Sequence, residues 1–248
     1  MKSPALKILL AIVCLVSASL ACNAITNPGL GGGGDVPTEN PGGGGSVDFP
    51  TATPDESGGN TSFGEVQLSD DFSDSGTGWG TGTDSDSSVE YVNGGLQFAV
   101  FTAKYFTWST PNLTAYENIH IETTVSNSSN APESTFGIIC HEQGTTSSFY
   151  YLGVAADGSY VIAKSAVAQD DVNLAEGNSD LIPSGSDPFT IGADCGTGNL
   201  ALYVNGQQVA SAQDSTYTSG SLGLFAASVD QPASASVTFD DILVTSLP

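Results

Sequence analysis

The chain has no arginine, and its only strong bases are Lys2, Lys7, Lys104 and Lys164. Against these stand 27 Asp plus Glu in 248 residues, for a formal net charge of −23. Nucleic acids and anionic lipid headgroups need a basic footprint, so both are poor partners for such a chain. Histidine is nearly as scarce. His120 and His141 are too few to build an imidazole metal centre without carboxylate help. The sequence also lacks Gly-x-Ser-x-Gly, His-Glu-x-x-His and Cys-x-x-Cys, and with them the usual signatures of serine and zinc chemistry. No stretch after the first 21 residues carries a sustained 3.6-residue apolar period, which argues against helices.

What is present begins with an export-type N-terminus. Lys2 and Lys7 precede the apolar run Ile8-Leu9-Leu10-Ala11-Ile12-Val13, and small residues lead to Ala21-Cys22. The run is too short for a comfortable membrane span. This segment resembles a bacterial lipoprotein signal, in which the cysteine is acylated and becomes the first residue after cleavage. The resemblance implies residues 1–21 as signal peptide, Cys22 as the lipidated residue, and an extracytoplasmic chain attached to a membrane through its acyl chains alone.

Residues 22–65 carry two tetraglycine runs, Gly31 to Gly34 and Gly42 to Gly45, each closely following Asn-Pro, and almost nothing apolar to bury. They are expected to form a disordered tether, with a root-mean-square reach of about 35 Å. From Val66 the texture changes to short alternating runs separated by turn dipeptides, predicting one all-β domain over 66–248. Expected strands include Ser88-Val92, Leu96-Phe101, Tyr105-Ser109, Ile119-Ser126, Phe136-Glu142, Phe149-Ala155, Tyr160-Ser165, Phe189-Cys195, Leu200-Val204, Gln208-Ala212 and Ser221-Ser228. Ala235-Phe239 and Ile242-Ser246 complete the set as a pair. Asn93-Gly94, Asp157-Gly158 and Asn205-Gly206 supply the positive φ angles of tight hairpins. With Cys14 in the signal and Cys22 assigned to lipid, Cys140 and Cys195 remain, and in an exported chain they are expected to pair. Closing that loop contributes about 4 kcal/mol in a chain-entropy account.

Asp70-Asp71-Phe72 with Trp79, Tyr91-Val92-Asn93-Gly94-Gly95-Leu96, Phe149-Tyr150-Tyr151, Leu202-Tyr203-Val204-Asn205-Gly206 and Phe239-Asp240-Asp241-Ile242 resemble the concanavalin A-like lectin and glucanase jelly roll. Within it, the likeness is to laminin-G-like and family-16-like (keto-disaccharide hydrolase-type) domains. The resemblance implies a two-sheet antiparallel sandwich whose first and last strands pair, with the two cysteines bridged inside it.

A hydrolase of the laminarinase-like branch needs two glutamates on one strand face with an aspartate between them. Glu117-Asn118-Ile119-His120-Ile121-Glu122 approaches that spacing but puts Ile119 at the aspartate position. It reads as a strand with Ile119 and Ile121 in the core and His120 and Glu122 on the other face, so no catalytic residue is assigned. Calcium is the one cofactor the composition suits, through Asp70, Asp71 and Asp74 meeting Asp240 and Asp241 if the terminal strands pair. The alternative for these carboxylates is turn capping and edge blunting. Glycan stacking would fall to Tyr105, Trp108, Phe149 and Tyr151. Alternation puts Tyr105 and Thr107 on one side of their strand and Phe106 and Trp108 on the other, so only one pair is expected to line an open surface. Trp79 is expected to plug one end of the sandwich. The sequence thus predicts a non-catalytic surface lipoprotein that recognises a glycan or a surface protein. A family-16-like hydrolase and a purely structural envelope protein are the alternatives.

Overall fold

The computed structural model describes residues 64–111, 114–144, 148–229 and 235–248, and these form an antiparallel β-sandwich. The proposed signal, Cys22 and nearly all of the tether lie outside the described residues. The larger sheet holds β1 (Val66–Asp70), β2 (Gly82–Thr83), β3 (Ser87–Val92), β4 (Gly95–Val100), β6 (Ile119–Asn127), β11 (Phe189–Cys195), β12 (Asn199–Val204), β13 (Gln207–Gln213) and β15 (Ala235–Ser246). The smaller holds β5 (Phe106–Ser109), β7 (Thr135–Glu142), β8 (Phe149–Ala155), β9 (Ser159–Ser165), β10 (Val172–Asn178) and β14 (Ser221–Ala227). Their orders are β13-β12-β11-β6-β15-β4-β3-β2, with β1 also on β15, and β10-β9-β8-β7-β14-β5.

Alternation builds the core between the sheets. On β6, Ile119, Ile121 and Val125 are buried while His120 and Glu122 face outward. Leu96 and Phe98 on β4, Ile138 and Cys140 on β7, and Leu152 and Val154 on β8 fill the same space. Two hairpins turn on the expected residues. Asn93 and Gly94 have φ of 53° and 81°, and Asn205 and Gly206 have 48° and 73°, the paired left-handed conformation of a two-residue turn. Cys140 on β7 and Cys195 on β11 form a disulfide, with Cα atoms 6.1 Å apart. It joins one sheet to the other.

The expected first-to-last pairing is present, with Asp70 opposite Ile242. Two expectations change. Ala235-Phe239 and Ile242-Ser246 are one twelve-residue strand, interrupted against β6 by a bulge at Asp240-Asp241. That bulge is held by the Asp241 carbonyl, which accepts from Thr123 Oγ1 at 2.5 Å, and by the Asp241 carboxylate, which accepts from the Thr124 amide at 3.1 Å. The long strand lets β4 and β1 share one flank of β15, the first beside its N-terminal half and the second beside its C-terminal half. The second change is β10, Val-Asn-Leu-Ala-Glu-Gly-Asn, an edge strand that the sequence list omitted because most of its residues are poor strand formers.

Candidate functional site

Strand β5 is an edge of the smaller sheet, and β2 with β3 is an edge of the larger. Where these edges meet on the open side of the sandwich, Thr83, Asp84, Ser87, Tyr105, Thr107 and Trp108 line a groove of about 470 Å³. Ser109 Oγ donates to the Gly80 carbonyl at 2.8 Å and the Gly80 amide to the Thr110 carbonyl at 3.3 Å, so the glycine loop before β2 is tied to β5. Ser87 Oγ donates to Thr107 Oγ1 at 3.3 Å, linking the two sheets beneath the groove. Asp84 is locked by the amides of Asp86 and Ser87, each at 2.8 Å. Those amide bonds, Ser87 first, hold its carboxyl below the usual carboxylate range, so it is an ionised acceptor. Burial, then the Asp84 and Asp86 charges, raises the Tyr105 hydroxyl, which stays a neutral phenol.

Trp108 stands on the rim. It is 37% exposed, and behind it an aromatic cluster covers the outer face of the smaller sheet. Phe106 stacks on Phe225 at 4.7 Å and on Phe149 at 5.9 Å, and Tyr151 meets Phe106 edge-on at 5.5 Å. Phe149 is 3% exposed and Phe225 fully buried, so this outer face is a small second core from which Trp108 emerges. Trp108 Nε1 donates to Glu142 Oε1 at 3.1 Å, and Ser221 Oγ donates to Glu142 Oε2 at 2.7 Å. The buried glutamate therefore sets the angle of the indole, leaving a ring face for packing. On the far side of the cluster the Tyr151 hydroxyl donates to Asp171 Oδ2 at 3.0 Å. Burial, then the Asp171 charge, pushes that hydroxyl up.

Of the four aromatic candidates, Tyr105 and Trp108 line the groove, whereas Phe149 packs against Trp108 at 5.8 Å and Tyr151 packs on Phe106 behind it. The expectation that only one face of this strand could be open is corrected. Because β5 is an edge strand, Tyr105 and Thr107 on one side and Trp108 on the other reach the same groove. Phe225, Ile139 and Glu142 were not singled out from sequence, since they become neighbours of β5 only through the β7-β14-β5 pairing.

The acidic candidates hold turns. Asp70 accepts the Phe72 amide at 2.9 Å and Trp79 Nε1 at 2.8 Å, and it also accepts the Thr77 hydroxyl. Trp79 is buried and meets Phe72 edge-on at 5.4 Å. Asp71 accepts the Ser73 amide at 3.0 Å and Asp74 the Gly76 amide at 2.6 Å, both as short turn caps. Asp240 and Asp241 are exposed at the bulge of β15. Among the described residues, no group of three or more His, Cys, Asp and Glu side chains is arranged to hold a metal ion. His141 sits in a bulge at φ 51°, fully buried, with Nε2 2.8 Å from the Glu117 carbonyl and Nδ1 3.1 Å from that of Tyr217.

No protein-family model matches the sequence, and no curated protein does. Solved structures do match. The carbohydrate-binding module CBM66 from Bacillus subtilis aligns at 16% identity over 68% of this chain and 96% of that one, with a TM-score of 0.54. A Bacillus subtilis protein of unknown function with a galectin-like fold aligns at 11% identity over 74% and 97%, with a TM-score of 0.57. The β-glucanase of Bacillus licheniformis aligns at 13% over 74% and 99%, with a TM-score of 0.54. The domain has the two-sheet jelly-roll fold of these structures. At these identities the likeness establishes the fold, and this jelly roll is shared by binding modules and hydrolases alike.

Proposed function

We propose that the domain is a glycan-recognition module that binds without cleaving. The observation that carries this reading is Trp108, an exposed indole fixed by a buried glutamate on the rim of a groove lined with hydroxyls and one ionised carboxylate. An aromatic face packs on the C–H face of a sugar ring, while Thr83, Ser87, Thr107 and Asp84 offer hydrogen bonds to its hydroxyls. Similarity in fold to a carbohydrate-binding module and to a glucanase supports the sugar class.

The non-catalytic part rests on what the carboxylates are doing. Both Glu142 oxygens are engaged, by Trp108 and Ser221, and Asp84 is held ionised by two amides. Asp84 is therefore not set up to deliver a proton, as the general acid of a glycosidase must, and Glu142 has both oxygens committed to Trp108 and Ser221. The same proposal places the chain outside the cytoplasm, anchored to a bacterial membrane through acylated Cys22. The Cys140–Cys195 bridge supports an oxidising compartment.

The test is an array of neutral and acidic glycans probed with the purified chain, with retained protein and released sugar read together. Retention on neutral glycans without release is expected. Release would overturn the non-catalytic reading, and silence on all neutral glycans would overturn glycan recognition.

A further inference from the structure

The outer face of the larger sheet holds a second depression, of about 420 Å³, on the opposite side of the sandwich from the aromatic cluster. Its floor is made by small residues in register. Asp194 on β11 pairs with Ala201 on β12, which pairs with Ser211 on β13. The next row is taller, with Tyr203 opposite Gln208, and on the other side Asn199 stands opposite Gln213. A floor of Ala and Ser between walls of Tyr, Asn and Gln is what makes the hollow.

The wall is anchored. Tyr203 Oη donates to Asp194 Oδ2 at 2.6 Å, and His120 Nδ1 lies 2.7 Å from Asp194 Oδ1. The two rings meet edge-on at 5.8 Å over Gly192, where a Cβ would lie 3.3 Å from that of Tyr203 and 3.4 Å from the His120 ring. A larger residue at position 192 would crowd both. The bond to Asp194, then Glu122, raises the His120 imidazole to about 9, so it is a cation at neutral pH. It sits behind Asp194 and is taken up by the two carboxylates.

We propose that this hollow is a second ligand site, which takes a neutral, hydroxyl-rich ligand of the size of one or two sugar rings. Side-chain amides both donate and accept, as hydroxyls do. Asn199, Gln208 and Gln213 frame the hollow beside Ser211 and the ionised Asp194, and among the described residues no Lys, Arg or His lines it to attract an anion. Its volume falls among small-molecule sites, about 300–1,000 Å³. None of these residues belongs to the Trp108 groove, so the inference does not depend on that site binding anything. With both sites filled, the domain would bridge two glycan chains.

The test is a titration of the isotopically labelled full chain with the neutral monosaccharides and trisaccharides of glucose, galactose and mannose at millimolar concentration. The side-chain amide signals of Asn199, Gln208 and Gln213 and the indole N–H signal of Trp108 are read together. Saturable shifts of the three amides are expected in the native chain and in Trp108→Ala, and loss of those shifts in Ser211→Trp, which fills the hollow from an exposed position. Tyr203→Phe, which keeps the ring and frees Asp194, is expected to weaken the response about five- to tenfold. Movement of the Trp108 signal alone would overturn this site and leave the groove standing. Movement at neither would overturn both, and amide shifts that survive Ser211→Trp and Tyr203→Phe would overturn the placement.

Discussion

The two outer faces of the sandwich handle half-exposed strands in opposite ways. Outside the smaller sheet, Phe106, Phe149, Tyr151 and Phe225 pack on one another and exclude water, so the surface there is set by ring packing. Outside the larger sheet, His120, Asp194 and Tyr203 form a charged and hydrogen-bonded chain around a hollow floored by Ala201 and Ser211. The first arrangement buries apolar area and contributes to stability directly. The second spends side chains on fixed polar positions whose net contribution to stability is small. Such positions are of more use to a ligand than to the fold.

This contrast predicts unequal losses. Phe225→Ala removes a fully buried ring from the aromatic face and should cost about 3–5 kcal/mol, whereas Tyr203→Phe should cost about 1 kcal/mol. Urea unfolding of both variants measures the difference, and equal losses would break the comparison. The Cys140–Cys195 bridge belongs to neither face, because it ties β7 to β11 through the core. Replacing both cysteines with serine should cost about 2–5 kcal/mol. It should lower the unfolding midpoint of the whole domain in one transition, and separate transitions for the two sheets would show that the bridge is what couples them.

The polar face should also be the pH-sensitive one. His120 is raised from 6.5 to about 9 in the folded chain, so its contribution is complete below 6.5 and is lost as pH rises through about 9. Asp194 moves the other way. Burial raises its carboxyl, but the bonds from His120 and Tyr203 outweigh burial and leave it below its ordinary 3.8, so its contribution is lost only as pH falls through the acid range. His120→Gln should therefore be less stable than the native chain by about 1–2 kcal/mol below pH 6.5. The gap should close as pH passes about 9. Denaturant curves across that range measure it, and a gap that does not change with pH would remove the imidazolium from the account.

The strands were largely legible because alternation and Asn-Gly turns are local signals. Phe149–Ala155 and Phe189–Cys195 have the bounds the sequence suggests, and Ile119 and Ile121 point to the core as expected. What escaped was non-local. Trp108 and Glu142 are 34 residues apart and meet only because β14 lies between their strands. Ala201 and Ser211 carry no motif, and their importance as a floor follows from register alone. The aspartates were ambiguous for a related reason. A carboxylate one or two residues before a turn reads the same whether it caps an amide or awaits a cation, and here Asp70, Asp71 and Asp74 cap amides.

Trp108→Ala gives the sharpest test of the aromatic face. The side chain is 37% exposed, and its loss leaves Glu142 still bonded to Ser221. The cost should be about 1–2 kcal/mol, since most of the ring is covered and Glu142 Oε1 loses its donor. Retention on any glycan bound through the groove should nonetheless fall at least about tenfold, or about 1.4 kcal/mol. Trp108→Phe separates the two parts of the indole. It keeps an aromatic face but has no N–H to offer Glu142, so the ring loses the bond that sets its angle. An intermediate loss for phenylalanine would mean that the ring face and its fixed angle both matter. A phenylalanine as good as tryptophan would mean that Glu142 serves the fold rather than the ligand. If even alanine left retention unchanged, the bound glycan would have to sit elsewhere, and the hollow framed by Tyr203 and Gln208 would become the first place to look.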